Sequence, residues 1–184
     1  MNMHKRWLQV LTVCVPILGL AACGFHLRRG AQLPPGMQRI HLSVNSSGDL
    51  QRELARQLQI SGATLVNAPA PGVAEMSVPR ANFQTAALTY TGQARVGEYA
   101  VRYTVHFQVR DADGKVLLPM QSVNVSRDFT YDARDPVGTA TQTEQLHASM
   151  ITDAVQAIMF RLGAAAEHAR SASAPAPAAS SAAH

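Results

Sequence analysis

In this 184-residue sequence, the residue types that catalyse reactions or hold metals do not fall into recognised motifs. The sequence lacks a Gly-x-Ser-x-Gly or Ser-x-x-Lys nucleophile motif and a glycine-rich phosphate loop. Asp111 and Asp113 could act as paired carboxylates, but they stand in Asp-Ala-Asp-Gly-Lys, where aspartate is favoured because its side chain bonds nearby backbone. No metal-ligand spacing links the histidines His26, His41, His106, His147, His168 and His184. We therefore predict no catalytic residue, no metal site and no enzyme activity.

Cys23 stands at the end of a basic and then apolar N-terminus. A Lys-Arg pair precedes the apolar stretch 7–20, which suits a secretory signal and is shorter than the ~20 residues of a membrane-spanning helix. The sequence Leu-Ala-Ala-Cys at 20–23 resembles the bacterial lipoprotein signal. The resemblance implies that residues 1–22 are a cleaved signal peptide and that Cys23 carries an S-diacylglycerol and an N-acyl chain. The alternative is a chance cysteine behind an ordinary cleavage site.

The implied lipid on Cys23 determines where the protein should be found. Three acyl chains would hold it on a membrane, because each buried methylene contributes about 0.8 kcal/mol. Gly24 follows the cysteine, whereas an aspartate there retains lipoproteins at the inner membrane. We therefore expect the protein on the periplasmic leaflet of the outer membrane of a Gram-negative bacterium, joined to its anchor by the linker 23–36. No cofactor other than this lipid is expected.

The charge is only slightly unbalanced. The sequence has 16 Lys and Arg against 12 Asp and Glu, and the Lys-Arg pair of the signal would be removed. The small remaining excess does not suggest a nucleic-acid partner. Apart from Lys115, every Lys or Arg of the mature chain is arginine. Its planar guanidinium group binds a carboxylate or phosphate in bidentate fashion, through two parallel hydrogen bonds. A GC-rich genome would produce the same bias.

Apolar periodicity predicts four strands and two helices. The predicted elements are a strand over 39–44, a helix over 50–62, strands over 75–90, 98–110 and 116–131, and a helix over 140–162. The strand over 98–110 has the clearest alternation of apolar and polar residues, and 111–115 reads as a hairpin turn. Pro79 makes its strand either an edge strand or one with a bulge. Gly62 and Gly163 are the predicted helix ends.

The order β-α-β-β-β-α predicts an α+β fold. We expect a two-layer sandwich in which two helices pack on one face of a four-stranded, mostly antiparallel sheet. The other face, with Arg102 and His106, should be solvated or meet a partner. This domain would span 37–163, followed by a disordered Ala/Ser/Pro tail over 164–184.

Arg127 is an anomaly, because it falls on the apolar phase of its strand. It should either lie at the end of the sheet, with its charged head in water, or have a partner. The candidate partners are Asp128, Asp132, a backbone carbonyl and an anionic ligand.

Four features together resemble the LPS-assembly lipoprotein LptE family. They are Cys-Gly-Phe-His-Leu-Arg at 23–28, the stretch from Gly92 into the strand at 98–105, Val-Ser-Arg-Asp-Phe-Thr-Tyr at 125–131, and a last helix near Glu144. The resemblance implies an outer-membrane lipoprotein that plugs the β-barrel LptD, binds lipopolysaccharide and helps the barrel to fold. The partners implied are LptD, lipopolysaccharide and, through the lipid anchor, the membrane.

Candidate binding residues follow from this resemblance. Arg80, Arg95 and Arg127 are expected to contact lipopolysaccharide or the barrel. The family has a further cation just before the last helix, but 138–142 contains none, and Arg134 is the nearest substitute. One other function stays open, an auxiliary lipoprotein of an envelope lipid-transport ABC system. An anchored hydrolase fails for want of a nucleophile, and only turnover that is lost on changing His106 or Asp128 would revive it.

Overall fold

A computed structural model of the chain describes residues 33–46, 48–90, 96–130 and 136–173. The helices and strands in these ranges are β1 (Arg39–Val44), α1 (Gly48–Ile60), β2 (Thr64–Val66), β3 (Ala74–Tyr90), β4 (Val96–Arg110), β5 (Val116–Thr130) and α2 (Pro136–Ser173). The signal peptide, Cys23, Arg95, Asp132 and Arg134 lie outside the described residues.

The sheet has the strand order β2-β1-β3-β4-β5. β1 runs parallel to both β2 and β3, while β3, β4 and β5 form long antiparallel ladders. The α+β class is confirmed, but the predicted count of four strands was wrong by one. The extra strand, β2, has only three residues, Thr64 to Val66, which is too short to show an alternating pattern.

The first helix follows the spacing of its leucines. Leu50, Leu54 and Leu58 recur every fourth residue and are fully buried. The helix ends in a Schellman motif, in which the N–H of Ala63 donates to the carbonyl of Leu58 (3.0 Å) and that of Gly62 to the carbonyl of Gln59 (2.9 Å). Gly62 has φ = 92°, which confirms it as the cap that the sequence predicts.

Both helices contribute to one apolar cluster with the sheet. The strand side of the cluster includes residues of β1, β3, β4 and β5. The largest part comes from one side-chain phase of β4, predicted from its alternation, with Val101, Val105, Phe107 and Val109 fully buried. The helix side includes the leucines of α1 and, from α2, Met150, Ala154, Val155, Ile158 and Leu162. In the described ranges, neither helix has the length and apolarity needed to cross a membrane.

Pro79 produces a bulge in the middle of the sheet. β3 lies between β1 and β4, so the edge position allowed by the sequence is wrong and the bulge is correct. Four residues of β3, from Ser77 to Arg80, lie opposite three residues of β4, from Gln108 to His106. The extra residue changes which side chains of β3 face the core. Before the bulge the even-numbered Val78 lies in the core cluster, and after it the odd-numbered Phe83 packs against that cluster.

The second helix is longer than predicted at both ends. Gly163 does not end it, and residues 164–173 are helical, which corrects the tail assignment over this range. Alanine is the best helix former, and this stretch is rich in it, while one interior glycine costs only about 1 kcal/mol. Ala166 is fully buried, so the extension also packs. Residues 174–184 of the predicted tail lie outside the described range.

Candidate binding surfaces

The outer face of the sheet, turned away from the two helices, is polar across its three long strands. Four neighbouring rungs form its centre, and each takes one residue from β3, β4 and β5. They are Arg80–His106–Ser122, Asn82–Thr104–Asn124, Gln84–Arg102–Ser126 and Ala86–Ala100–Asp128. No side chain in these rungs is an apolar group larger than alanine, so a second apolar layer could not pack here.

Hydrogen bonds tie part of this face together. The hydroxyl of Thr104 donates to Oδ1 of Asn124 at 2.8 Å, and Nδ2 of Asn124 lies 3.4 Å from the Ser122 hydroxyl. The arginines differ, because Arg80 and Arg102 are exposed and form no ion pair with any residue that the structure describes. Both guanidinium groups therefore remain available for an acceptor from outside the chain.

Arg127 lies on the other face of the sheet. Its rung partner is the buried Val101, and its Nη2 donates to Oδ2 of Asp153 in α2 at 2.5 Å. Its Nη1 also donates to the carbonyl of Ser126 at 3.2 Å. Asp128 pairs with Ala100 and so belongs to the outer face, which removes it as a partner. The backbone carbonyl among the predicted partners is therefore found, whereas the ion-pair partner is a helix residue 26 positions away that local sequence reasoning missed.

The three predicted binding arginines therefore do not form one cluster. Arg80 is on the outer face and Arg127 on the helix face, while Arg95 is outside the described residues. One head group could not contact both Arg80 and Arg127 without reaching around the sheet. Arg102 is the more plausible companion of Arg80; the sequence placed it on the polar face but not among the candidate binding residues.

A three-ring stack joins the sheet to α2. Phe83 lies between Tyr103 and His147, with centroid distances of 4.0 and 4.1 Å and nearly parallel rings. The Tyr103 hydroxyl is buried, and no residue in the described ranges is its hydrogen-bond partner. Burial, and then the negative charge of Asp49, raises the pKa of Tyr103 to about 12. His147 thus packs on an aromatic ring, and no group of three or more metal-ligating side chains occurs in the described ranges.

The hairpin between β4 and β5 accounts for the paired aspartates. Oδ1 of Asp111 accepts hydrogen bonds from the backbone N–H groups of Asp113 (3.0 Å) and Lys115 (2.8 Å). Gly114 has φ = 79°, a left-handed conformation that suits glycine. These contacts support the turn role that the sequence predicts for the two carboxylates.

A groove of about 540 Å³ separates the two helices, with Arg52, Arg56 and His147 among its lining residues. Its charges are largely paired within α1. Arg52 bonds Asp49, and Arg56 bonds Glu53 at 3.0 and 2.5 Å. These hydrogen bonds from Arg56 are the main cause of a lowered pKa at Glu53. The groove therefore offers little unpaired charge to a ligand.

Comparison with known proteins agrees with this architecture. The family model LptE, described as lipopolysaccharide-assembly, matches residues 37–162, more than half of the chain. The LPS-assembly lipoprotein LptE of Yersinia enterocolitica is 28% identical over 165 residues, covering 87% of this chain and 77% of that protein.

Two solved structures share the fold. Lipoprotein B from Nitrosomonas europaea has a TM-score of 0.67 at 22% identity, covering 84% of this chain and 99% of that one. Rare lipoprotein B from Shewanella oneidensis has a TM-score of 0.62 at 18% identity, covering 72% and 98%. Together with the family match, these findings show that the chain belongs to the LptE family of lipopolysaccharide-assembly lipoproteins.

Proposed function

We propose that this lipoprotein is anchored through Cys23 in the periplasmic leaflet of the outer membrane and plugs the β-barrel LptD. There it would bind lipopolysaccharide and support folding of the barrel and lipopolysaccharide assembly at the cell surface. Membership of the family supports the assembly role, and the finer points rest on the surface chemistry described above.

The outer face of the sheet carries the proposal. The lumen of a large outer-membrane barrel is polar and hydrated, so a protein that fills it needs a polar surface backed by a complete core. Here the apolar phase of the sheet is buried against both helices, and the opposite phase is polar in three of the four central rungs, with two alanines and Asp128 in the fourth. Such a face can meet a wet wall without leaving apolar groups in water.

Arg80 and Arg102 are the proposed contacts for lipopolysaccharide. Both are exposed and lack an ion pair within the described ranges. A guanidinium fork binds phosphate or carboxylate oxygens in bidentate fashion, and lipopolysaccharide carries both groups. The arginines lie two rungs apart on adjacent strands, so one extended polyanion could contact both.

Affinity purification under mild detergent tests the plug. The tagged wild-type protein should bring down a large β-barrel together with lipopolysaccharide. Arg80→Gln with Arg102→Gln should lower the lipopolysaccharide recovered per barrel, while Arg56→Gln, on the exposed side of α1, should not. Recovery of a clean monomer from wild-type membranes would overturn the proposal.

The anchor is tested separately. Mass spectrometry of the processed N-terminus should find acylated Cys23, and Cys23→Ala should leave an unprocessed or mislocalised protein that still folds. A bare thiol or a different N-terminus would refute the anchor. Normal lipopolysaccharide export with altered phospholipid traffic after depletion would favour the ABC-system alternative.

A further inference from the structure

A second cavity of about 540 Å³ lies between the start of β5 and the last turns of α2. Its lining includes Lys115, Leu117, Arg161, Ala164, Ala165 and His168. The α2 residues among these recur at spacings of three and four, so they share one helix face. This cavity depends on the helix extension past Gly163, which lies beyond the family match at residue 162.

The charge of this cavity has one sign. Lys115, Arg161 and His168 contribute basic groups, and none of the lining residues is Asp or Glu. Glu167, the acid closest to the cavity in the helix sequence, falls outside the shared helix face. The remaining wall is mainly aliphatic, from β5 and the alanines of α2. A cationic rim on an apolar wall fits a ligand that has an anionic group and a hydrocarbon part.

Two of the three basic groups, those of Arg161 and His168, are held in place by the fold. Nη1 of Arg161 donates to Oε1 of Gln121 and to the carbonyl of Ser122, both at 3.0 Å, and its guanidinium carbon lies 5.9 Å from the Phe107 ring centroid. Nδ1 of His168 is 2.7 Å from the carbonyl of Ala164. A carbonyl only accepts, so Nδ1 is the donor. Nε2 has no hydrogen-bond partner in the described ranges, and in the imidazolium form it would donate to an anionic group.

The cavity lies at the end of the domain where the chain enters from its N-terminus. Gly36 sits against the β4–β5 turn, since a Cβ there would lie 3.6 Å from Cβ of Asp111 and 3.8 Å from the backbone nitrogen of Ala112. Lys115 closes that same turn. The ten residues 23–32 can span at most about 35 Å. A membrane that holds Cys23 is therefore within about that distance of this end.

We propose that the cavity binds the head group and one acyl chain of an anionic lipid from the leaflet in which Cys23 is anchored. The proposal rests on the lipidation proposed for Cys23. A volume of about 540 Å³ is within the range of roughly 300–1,000 Å³ typical of small-ligand sites, and it suits a single chain. The site is separate from Arg80 and Arg102, which face outward from the sheet.

Photocrosslinking in a defined bilayer tests the site. The lipid-anchored full mature protein is placed in phosphatidylcholine nanodiscs that contain a trace of phosphatidic acid with a diazirine in one acyl chain. Parallel discs contain phosphatidylcholine with the same diazirine chain. We expect phosphatidic acid adducts on peptides covering 116–118 and 164–169, and few from the zwitterionic probe.

Two variants test separately whether lipid binding depends on the basic groups and on the volume of the cavity. Lys115→Gln with His168→Gln should lower the adduct yield about tenfold, equivalent to about 1.4 kcal/mol. Ala164→Leu should lower it by filling the cavity, while Ala140→Leu, at an exposed position of the same helix, should leave it unchanged.

Three results would overturn the site: equal yields from the two probes, adducts confined to other peptides, or equal yields from the two leucine variants. The intact mass of the same sample reports acylation. An acylated protein without phosphatidic acid adducts refutes the cavity alone, whereas a bare Cys23 thiol refutes the anchor and with it the leaflet as the source.

Discussion

Replacing Tyr103 by phenylalanine should stabilise the protein. Tyr103 is only 1% exposed, and its hydroxyl has no hydrogen-bond partner among the residues that the structure describes. A buried polar group without a partner costs about 1–3 kcal/mol. Tyr103→Phe keeps the ring stacked on Phe83 and removes that oxygen. We expect the free energy of unfolding to rise by about 1 kcal/mol, the lower end of that range.

The difference between Tyr103→Phe and the wild type should also grow with pH. Burial, with a smaller contribution from Asp49, raises the pKa of Tyr103 to about 12 in the folded protein, against about 10 for an unfolded tyrosine. Between these values the unfolded chain releases a proton that the folded protein retains, which favours unfolding. The stability linked to Tyr103 is complete below pH 10. It falls by up to about 1.4 kcal/mol per pH unit as the pH rises towards 12.

Urea titrations followed by circular dichroism at pH 7, 10 and 11 measure both effects of Tyr103→Phe. Tyr99→Phe is the matched control, because that ring is half-buried and stacks on Phe129. It should not stabilise the protein. If Tyr103→Phe is less stable than wild type at pH 7, and the two pH profiles run parallel, the reasoning is refuted and the hydroxyl has a partner.

Three further changes test the elements around the candidate sites. Arg127→Gln and Asp153→Asn should each cost less than about 1 kcal/mol, and a double-mutant cycle should give a coupling of about 0.5 kcal/mol, because the pair is half-exposed. Truncation after Ser173 should leave the melting temperature unchanged, whereas truncation after Gly163 should lower it by about 2–4 °C through loss of the packed last turns of α2. Asp111→Ala should cost about 1 kcal/mol in urea titrations, since two backbone N–H groups lose their acceptor.

Each of these three predictions can be contradicted by a specific result. Zero coupling in the cycle would mean that Arg127 and Asp153 are not paired in solution. Equal melting temperatures for the two truncated chains would mean that the helix extension does not pack. For the hairpin, Asp113→Ala is the control, and an equal loss there would argue against a special role for Asp111.

The sequence predicts best where the pattern is local. The alternation over 98–110 gave β4 and its buried face, and the leucine spacing gave α1, because each pattern reflects one element against one core. Pro79 shows the limit. Proline chemistry predicts an irregular strand, but whether that strand is central or at an edge depends on pairings far away in the chain.

The sequence did not predict the ion-pair partner of Arg127 or the C-terminal end of α2, and both errors have physical causes. Arg127 pairs with a residue 26 positions away in another element, which no local pattern can indicate. Gly163 is a good stop signal only when the residues after it prefer another conformation, and here alanines follow that favour helix. The predicted helix end at Gly163 was therefore wrong, because it gave too little weight to the alanines that follow.

The two edges of the sheet differ in how many unpaired peptide groups they expose. One edge is the three-residue β2, while the other is the fifteen-residue β5, and a long outermost strand offers unpaired peptide groups to any passing chain. Pro119 removes one of these donors, and Arg127 and Asp128 place charges farther along the strand. The long β5 edge therefore carries its own protection against self-association and aggregation.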